Sequence, residues 1–103
     1  NQRKCVRPGL ILQVAPHGNE TQAALGPGII RFGITVSGRV DKRAVVRNRI
    51  KRRFRTLARD ILGPEAKSGH DYVLIGRKQA FDRTYEDLKK DIRGCLAKLN
   101  LKL

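Results

Sequence analysis

The feature that most constrains the fold is an apolar stripe inside the most highly charged stretch of the chain. Five large apolar side chains recur there at helical spacing: Val46, Ile50, Phe54, Leu57 and Ile61. At about 100° per residue they fall within an arc of roughly 80°, so a helix gathers them on one side. The stripe predicts a helix over residues 43–62 with one buried edge. Gly63-Pro64 predicts its end, because Gly accepts left-handed dihedrals and Pro interrupts the hydrogen-bond ladder.

The alternation in residues 29–36 predicts a strand with two different faces. One face is apolar and is expected to be buried; it carries Ile30, Phe32, Ile34 and Val36. The other face is partly polar and carries Ile29, Arg31, Gly33 and Thr35. A period of two with one polar side is typical of a sheet strand packed on one face. The polar side is therefore a candidate binding surface.

Shorter signals complete the order of elements. Apolar runs predict strands at residues 10–14 and 72–75, with a flexible Gly- and Pro-rich connection over 16–28 and a polar turn over 67–71. Thr84 is a predicted N-cap, with Asp87 in an approximate capping box. A second amphipathic helix follows on Tyr85, Leu88, Ile92, Cys95, Leu96 and Leu99. The order β-β-α-β-α leaves room for one further strand or an N-terminal helix, and it predicts one α+β domain over residues 1–103.

The charge is concentrated on the first predicted helix. The chain has 23 Lys and Arg against 9 acids, a formal net charge of +14. Residues 39–59 contain ten basic side chains and one acid, Asp41. Arg47, Lys51, Arg55 and Arg59 follow one another at four-residue spacing, which is repulsive in an isolated helix. Eight of the ten basic residues are Arg, whose planar fork suits phosphate, so a nucleic-acid partner is favoured over a merely solvated face.

Other kinds of partner and site fit the sequence less well. A nearly uniform Arg face without a paired helix-turn-helix favours folded RNA over DNA. A membrane-surface module needs an exposed apolar face beside the basic one, and no apolar run approaches the length of a membrane span. Cys5 and Cys95 are expected to be reduced structural thiols in a cytosolic protein. They share no metal-ligand spacing with His17 or His70, so no metal site is predicted. The absence of Met indicates that Asn1 is not the natural start.

The acidic residues do not predict a nuclease site. The nine carboxylates are scattered, and Glu86, Asp87 and Asp91 lie at the start of the last helix, where they favour its dipole. No catalytic residue is therefore predicted in the protein. A ribosomal protein or a general RNA chaperone stays an open second hypothesis. Selective binding of one folded RNA would distinguish these alternatives.

Residues 43–55 closely resemble the signature of the bacterial ribonuclease P protein family. Its core here is Arg47-Asn48-Arg49, followed by Lys51-Arg52 and Arg55. Residues 31–37 resemble the family's central strand, residues 71–78 its last strand, and residues 84–99 its last helix. The resemblance covers about residues 9–99 in the same order.

The resemblance implies a fold of order α-β-β-β-α-β-α with a left-handed crossover through the basic helix, and the first helix is expected to be missing here. It implies a monomeric accessory subunit of a ribonucleoprotein whose catalytic RNA removes the 5′ leader of precursor tRNA with Mg²⁺. The protein is expected to hold no cofactor of its own and to meet no membrane. The positions expected to face the catalytic RNA are Arg39, Arg43, Arg47, Asn48, Arg49, Lys51, Arg52 and Arg55.

A cleft between the sheet and a helix holds the leader in that family. Gln13, Arg31 and Thr35 are its expected walls here, assigned from the polar faces of two strands. Some relatives have an aromatic residue where this chain has Gln13. Stacking of leader bases at that position is therefore not expected.

Overall fold

One four-stranded sheet carries the helices of this protein. The structure, a computed structural model, describes residues 3–26 and 29–103, except for the side chain of Gln22. Its strands are β1 (Arg3–Val6), β2 (Leu10–Pro16), β3 (Arg31–Thr35) and β4 (His70–Gly76). Its helices are α1 (Asn19–Leu25), α2 (Ala44–Leu57), α3 (Gly63–Glu65) and α4 (Tyr85–Lys98). A π-helical turn, Ala58–Leu62, joins α2 to α3, and a 3₁₀ turn, Lys78–Ala80, follows β4.

The sheet has the order β1-β2-β4-β3, which places sequence neighbours apart. β1, β2 and β4 run antiparallel, and β3 lies parallel to β4 at the edge. A parallel pair needs a long crossover, and α2 lies in that connection. The α+β class is confirmed, and β1 fills the place left open for a further strand.

The apolar stripe of the basic helix is buried as predicted. Val46, Ile50, Phe54, Leu57 and Ile61 are at most 5% exposed. They pack with the inward residues of the sheet, among them Leu10, Leu12, Val14, Tyr72 and Leu74. α2 contacts β3 and β4, whereas α4 contacts β1 and β2. Both long helices therefore lie on one face of the sheet, and they do not cover the other face.

Two predictions about the helical parts of the chain were wrong. Residues 16–28 were expected to be a flexible connection, but Asn19–Leu25 is helical. Its last residues are good helix formers, and Gly26, at φ 86°, supplies the left-handed conformation that ends a helix. The helical path of α2 also continues past Gly63 to Glu65. Pro64 is tolerated because it sits in the first turn of a new segment, where its missing N–H is not needed.

The edge strand is shorter than predicted, Arg31–Thr35 instead of residues 29–36, and one of its apolar residues is exposed. Val36 is buried, and Ile30 and Ile34 pack partly against the core. Phe32, however, is 48% exposed although it was expected to be buried. β3 has a neighbour on one side only, so the core covers only part of its apolar face. Strand β4 begins at His70, so His70 and Asp71 belong to the sheet and not to the predicted turn.

The C-terminal helix begins as predicted. The Thr84 hydroxyl accepts a hydrogen bond from the Asp87 N–H at 3.1 Å. Cys95 of α4 is buried, and its thiol donates to the carbonyl oxygen of Cys5 at 3.6 Å. Burial raises the pKa of Cys95 to about 12. Within residues 3–26 and 29–103, no helix has both the length and the apolar character needed to cross a membrane.

Candidate nucleic-acid interface

The outward side of α2 is a continuous cationic surface. Arg49, Arg52 and Arg55 are exposed there, with Asn48 between them. We call these four residues the basic face. Burial of the apolar stripe fixes which way they point, because the two sets lie on opposite sides of one helix. An array of guanidinium groups held on a rigid helix can bind successive phosphates of a polynucleotide.

Two basic residues beside the stripe, Arg47 and Arg53, make contacts within the protein. Arg47 and Lys51 are half-buried, and Arg47 Nη1 donates to the carbonyl oxygens of Asp41 and Lys42 at 2.9 and 2.7 Å. On the opposite flank, Arg53 donates to the carbonyl oxygens of Ala80, Phe81 and Arg83. Their positions on the helix explain these contacts, because side chains beside the buried edge of α2 reach the neighbouring loops. Arg47 therefore holds the loop before α2, in addition to its predicted RNA contact.

The loop before α2 extends the cationic surface. Arg39, Lys42 and Arg43 are exposed, and the loop residues 38–43 face Lys78 across an open hollow of about 790 Å³. Asp41 is the acid in this loop. It accepts from the Arg43 N–H at 2.8 Å and from the Arg43 guanidinium at 3.1 and 3.0 Å. These bonds hold the pKa of Asp41 down to about 2, so the carboxylate stays charged and fixes the turn.

The cations of the basic face form no ion pair among those described. Among the described ion pairs, those that involve residues 39–59 are Arg43 with Asp41 and Arg59 with Asp60. Arg43 keeps 71% of its side chain exposed, and Arg59 keeps 75%. Arg49, Arg52 and Arg55 are thus neither buried nor members of a described ion pair, as a polyanion-binding surface requires.

A second surface lies on the other face of the sheet. Cα register sets Gln13 of β2 opposite Val73 of β4, and Val73 opposite Gly33 of β3. Arg31 and Thr35 share the side of Gly33, since side chains alternate along a strand. The three predicted cleft residues therefore lie on one face, which we call the open sheet face. Shallow depressions of about 250 and 150 Å³ lie there around Asp71 and Val73.

A histidine–aspartate–arginine cluster fixes one corner of the open sheet face. Asp71 Oδ1 lies 2.7 Å from His17 Nε2 and accepts from Arg31 Nε at 2.8 Å, while Oδ2 accepts from Arg31 Nη2 at 2.7 Å. His17 is buried, with 1% of its side chain exposed. The Arg31 guanidinium first, and His17 second, lower the pKa of Asp71 to about 2. The stability that ionised Asp71 gains from Arg31 and His17 is thus present above the ordinary pKa of Asp, about 3.9. It is lost as the pH falls towards 2.

This cluster sets what Arg31 can offer a ligand. Two of its five N–H donors are committed to Asp71, and the carboxylate neutralises its charge. Arg31 is therefore held in one orientation with donors to spare. Sequence reasoning missed both His17 and Asp71, because no periodic pattern links residues that are 54 positions apart.

The comparisons with known proteins agree with this architecture. The model of the Ribonuclease P family matches residues 1–100. The chain belongs to the ribonuclease P protein family. The ribonuclease P protein component of Paramagnetospirillum magneticum is 40% identical over 99 residues, which cover 95% of this chain and 71% of that protein. The component of Erythrobacter litoralis is 36% identical, with coverage of 86% and 66%.

The fold of a ribonuclease P protein is also found in solved structures. The protein from Staphylococcus aureus superposes with a TM-score of 0.72 at 21% identity, covering 97% of this chain and 83% of that one. At this identity the likeness concerns the fold. It confirms the family fold that the Arg47-Asn48-Arg49 segment led us to expect.

The fold of this ribonuclease P family member places the predicted site residues in two groups. Arg39, Arg43, Arg47, Asn48, Arg49, Lys51, Arg52 and Arg55 all lie on α2 or on the loop before it. Gln13, Arg31 and Thr35 lie on the open sheet face, the side of the sheet away from α2. The fold brings each group together and keeps the two groups apart.

Proposed function

We propose that this protein is the RNA-binding subunit of ribonuclease P and that it assists removal of the 5′ leader from precursor tRNA. The basic face and the loop before α2 bind the catalytic RNA, and the open sheet face binds the leader. The RNA performs the cleavage with Mg²⁺, and the protein supplies no catalytic residue. One observation carries the proposal: the cationic surface of α2 is anchored by a buried stripe and is not cancelled by carboxylates.

The charge and shape of the surface support recognition of the RNA backbone over sequence-specific recognition of bases. Three exposed Arg residues on one helix suit the phosphates of a folded RNA, which proteins recognise largely by backbone shape. If the surface meets about 6 to 8 phosphates, the logarithm of the association constant should fall with the logarithm of salt with a slope of about −4 to −7. A slope near zero would exclude a binding mode dominated by phosphates.

Reconstitution tests the proposed function. The full chain is added to a bacterial ribonuclease P RNA at low Mg²⁺, and removal of the 5′ leader from precursor tRNA is measured. We expect faster cleavage than with the RNA alone, because the cationic surface neutralises phosphates that Mg²⁺ must otherwise screen. The protein without RNA should cut nothing. Cleavage by scrupulously RNA-free protein, or no gain on adding the protein, would refute the proposal.

The proposed leader site makes a separate prediction. Arg31→Gln removes the guanidinium that Asp71 orients on the open sheet face. We expect the reconstituted enzyme to lose about 5-fold in affinity for precursor tRNA with a leader, the size of a single polar contact. Affinity for mature tRNA should stay unchanged, because it has no leader to contact.

The matched control removes a charge of the same kind from another face. Lys90→Gln lies on the exposed side of α4 and should leave the preference for leader-bearing substrate as it is. Equal losses for both tRNAs in Arg31→Gln would show that the open sheet face does not bind the leader.

A further inference from the structure

Phe81 is an exposed aromatic residue at the border of the basic face. Of the five aromatic residues, Phe54 and Tyr72 are buried and Tyr85 is half-buried, which leaves Phe32 and Phe81 exposed. Phe81 is 36% exposed, and Arg49 Cζ lies 5.8 Å from the centroid of its ring. A guanidinium of the basic face thus already contacts one part of the ring, while another part stays open.

The segment that carries Phe81 is held rigidly against α2. Arg53, one turn after Arg49 on the same helix, donates to the carbonyl oxygens of Ala80, Phe81 and Arg83. Ala80 is fully buried. The backbone that carries the ring therefore loses little conformational freedom when something binds there, which favours affinity.

A buried ion pair fixes the far end of the same segment. Arg83 donates to both oxygens of Asp91 at 2.8 Å, and Asp91 also accepts from the Gly9 N–H at 3.2 Å. The Asp91 side chain is 6% exposed, so the anchor is part of the core. Phe81 is thus fixed from both sides of its own segment.

The surroundings of the ring suit a nucleic acid better than a protein side chain. Lys78, three residues before Phe81, faces the loop residues 38–43 across the open hollow and so adds a cation to the cationic surface. Asp82, the residue after Phe81, is an exposed acid, but the cations Arg49 and Lys78 outnumber it here. Unpaired RNA bases stack on aromatic rings and on the planes of Arg guanidinium groups, and here both are side by side.

We infer that Phe81, together with Arg49, forms a stacking site for an unpaired nucleobase of the catalytic RNA. This inference rests on the proposed function, since it assumes that the basic face binds that RNA. The catalytic RNA, not the leader, supplies the base, because Phe81 borders α2 and α2 packs on the side of the sheet opposite Gln13 and Thr35. The site takes any base, since every base has a stacking face.

A substitution series at Phe81 tests the stacking site. Phe81→Ala and Phe81→Leu should each weaken binding of a bacterial ribonuclease P RNA by about 5- to 150-fold, whereas Phe81→Tyr should bind as the natural chain does. Leu keeps the apolar bulk without a π face, so it separates stacking from simple burial. The slope of affinity against salt should stay the same in all four proteins, because no phosphate contact is removed.

A second measurement does not depend on loss of binding. The chain has no Trp, so Phe81→Trp places a single indole at the site. We expect its fluorescence to be quenched when the ribonuclease P RNA saturates the protein, since a stacked base lies against the ring. Thermal melting of each variant shows which of them are folded.

Several outcomes would overturn the inference and leave the proposed function intact. These are unchanged affinity in Phe81→Ala, tight binding by Phe81→Leu, unchanged indole emission at saturation, or a loss seen only with leader-bearing precursor tRNA. If the natural chain itself fails to bind the ribonuclease P RNA, the proposed function fails and the stacking site fails with it.

Discussion

Replacement of Arg49, Arg52 and Arg55 by Gln is expected to weaken binding of a bacterial ribonuclease P RNA by about 100- to 1000-fold. A hydrogen bond to a charged group is worth about tenfold or more in affinity and less where water screens it, so about 5- to 10-fold for each of three exposed contacts gives this range. The slope of affinity against salt should flatten by about 2 to 3, since each lost phosphate contact removes close to one unit. Filter binding or fluorescence titration over a range of salt concentrations measures both quantities.

The matched control removes the same charge from another part of the surface. Lys90, Lys98 and Lys102 are exposed, and their replacement by Gln also lowers the net charge by three. This variant should keep most of its affinity, because it retains the whole basic face. Both variants should melt close to the natural chain, as exposed substitutions usually do. Equal losses in the two triple variants would mean that net charge alone, and not α2, attracts the RNA.

Phe54→Ala is expected to lower the free energy of unfolding by about 3–5 kcal/mol. The ring is fully buried within the apolar stripe, so its removal leaves a cavity between α2 and the sheet. For a domain of about 100 residues this corresponds to a fall in Tm of about 15–30 °C. Urea unfolding followed by circular dichroism gives the free energy directly.

Val45→Ala provides the comparison on the same helix. Val45 is 74% exposed, so its truncation should change the free energy of unfolding by no more than about 0.5 kcal/mol. If Phe54→Ala unfolded at the same urea concentration as Val45→Ala, the assignment of a buried and an exposed side to α2 would be wrong. A destabilised Phe54→Ala that is still folded should bind RNA normally at low temperature, because its basic face is unchanged.

The basic helix could be predicted because its period is strong and local. Five apolar residues at helical spacing decide which edge is buried, and the burial of that edge decides which cations stay outside. The N-cap at Thr84 was predicted for the same reason, since its bond partner Asp87 lies three residues away. Such interactions span one or two helical turns, which a single sequence records directly.

Features that depend on elements far apart in the sequence were harder to predict. Phe32 follows the alternating pattern of a buried residue, yet strand order leaves β3 at the edge and the ring half-exposed. Arg53 looked like one more cation of the basic segment, yet its guanidinium binds the carbonyl oxygens of a loop that begins about 27 residues later. In both cases the outcome depends on which element lies alongside, and that is a property of the assembled fold.

The sequence by itself determined the class of fold, the buried edge of α2, the cationic character of its outer side and, through the segment 43–55, the family. The tertiary structure alone decided that Gln13, Arg31 and Thr35 share one face, that His17 and Asp71 hold Arg31 there, and that Phe81 lies beside Arg49. The reason is the range of the interactions. Helical periodicity acts between residues three or four positions apart, whereas strand pairing and loop docking join residues tens of positions apart, whose partners depend on how the whole chain packs.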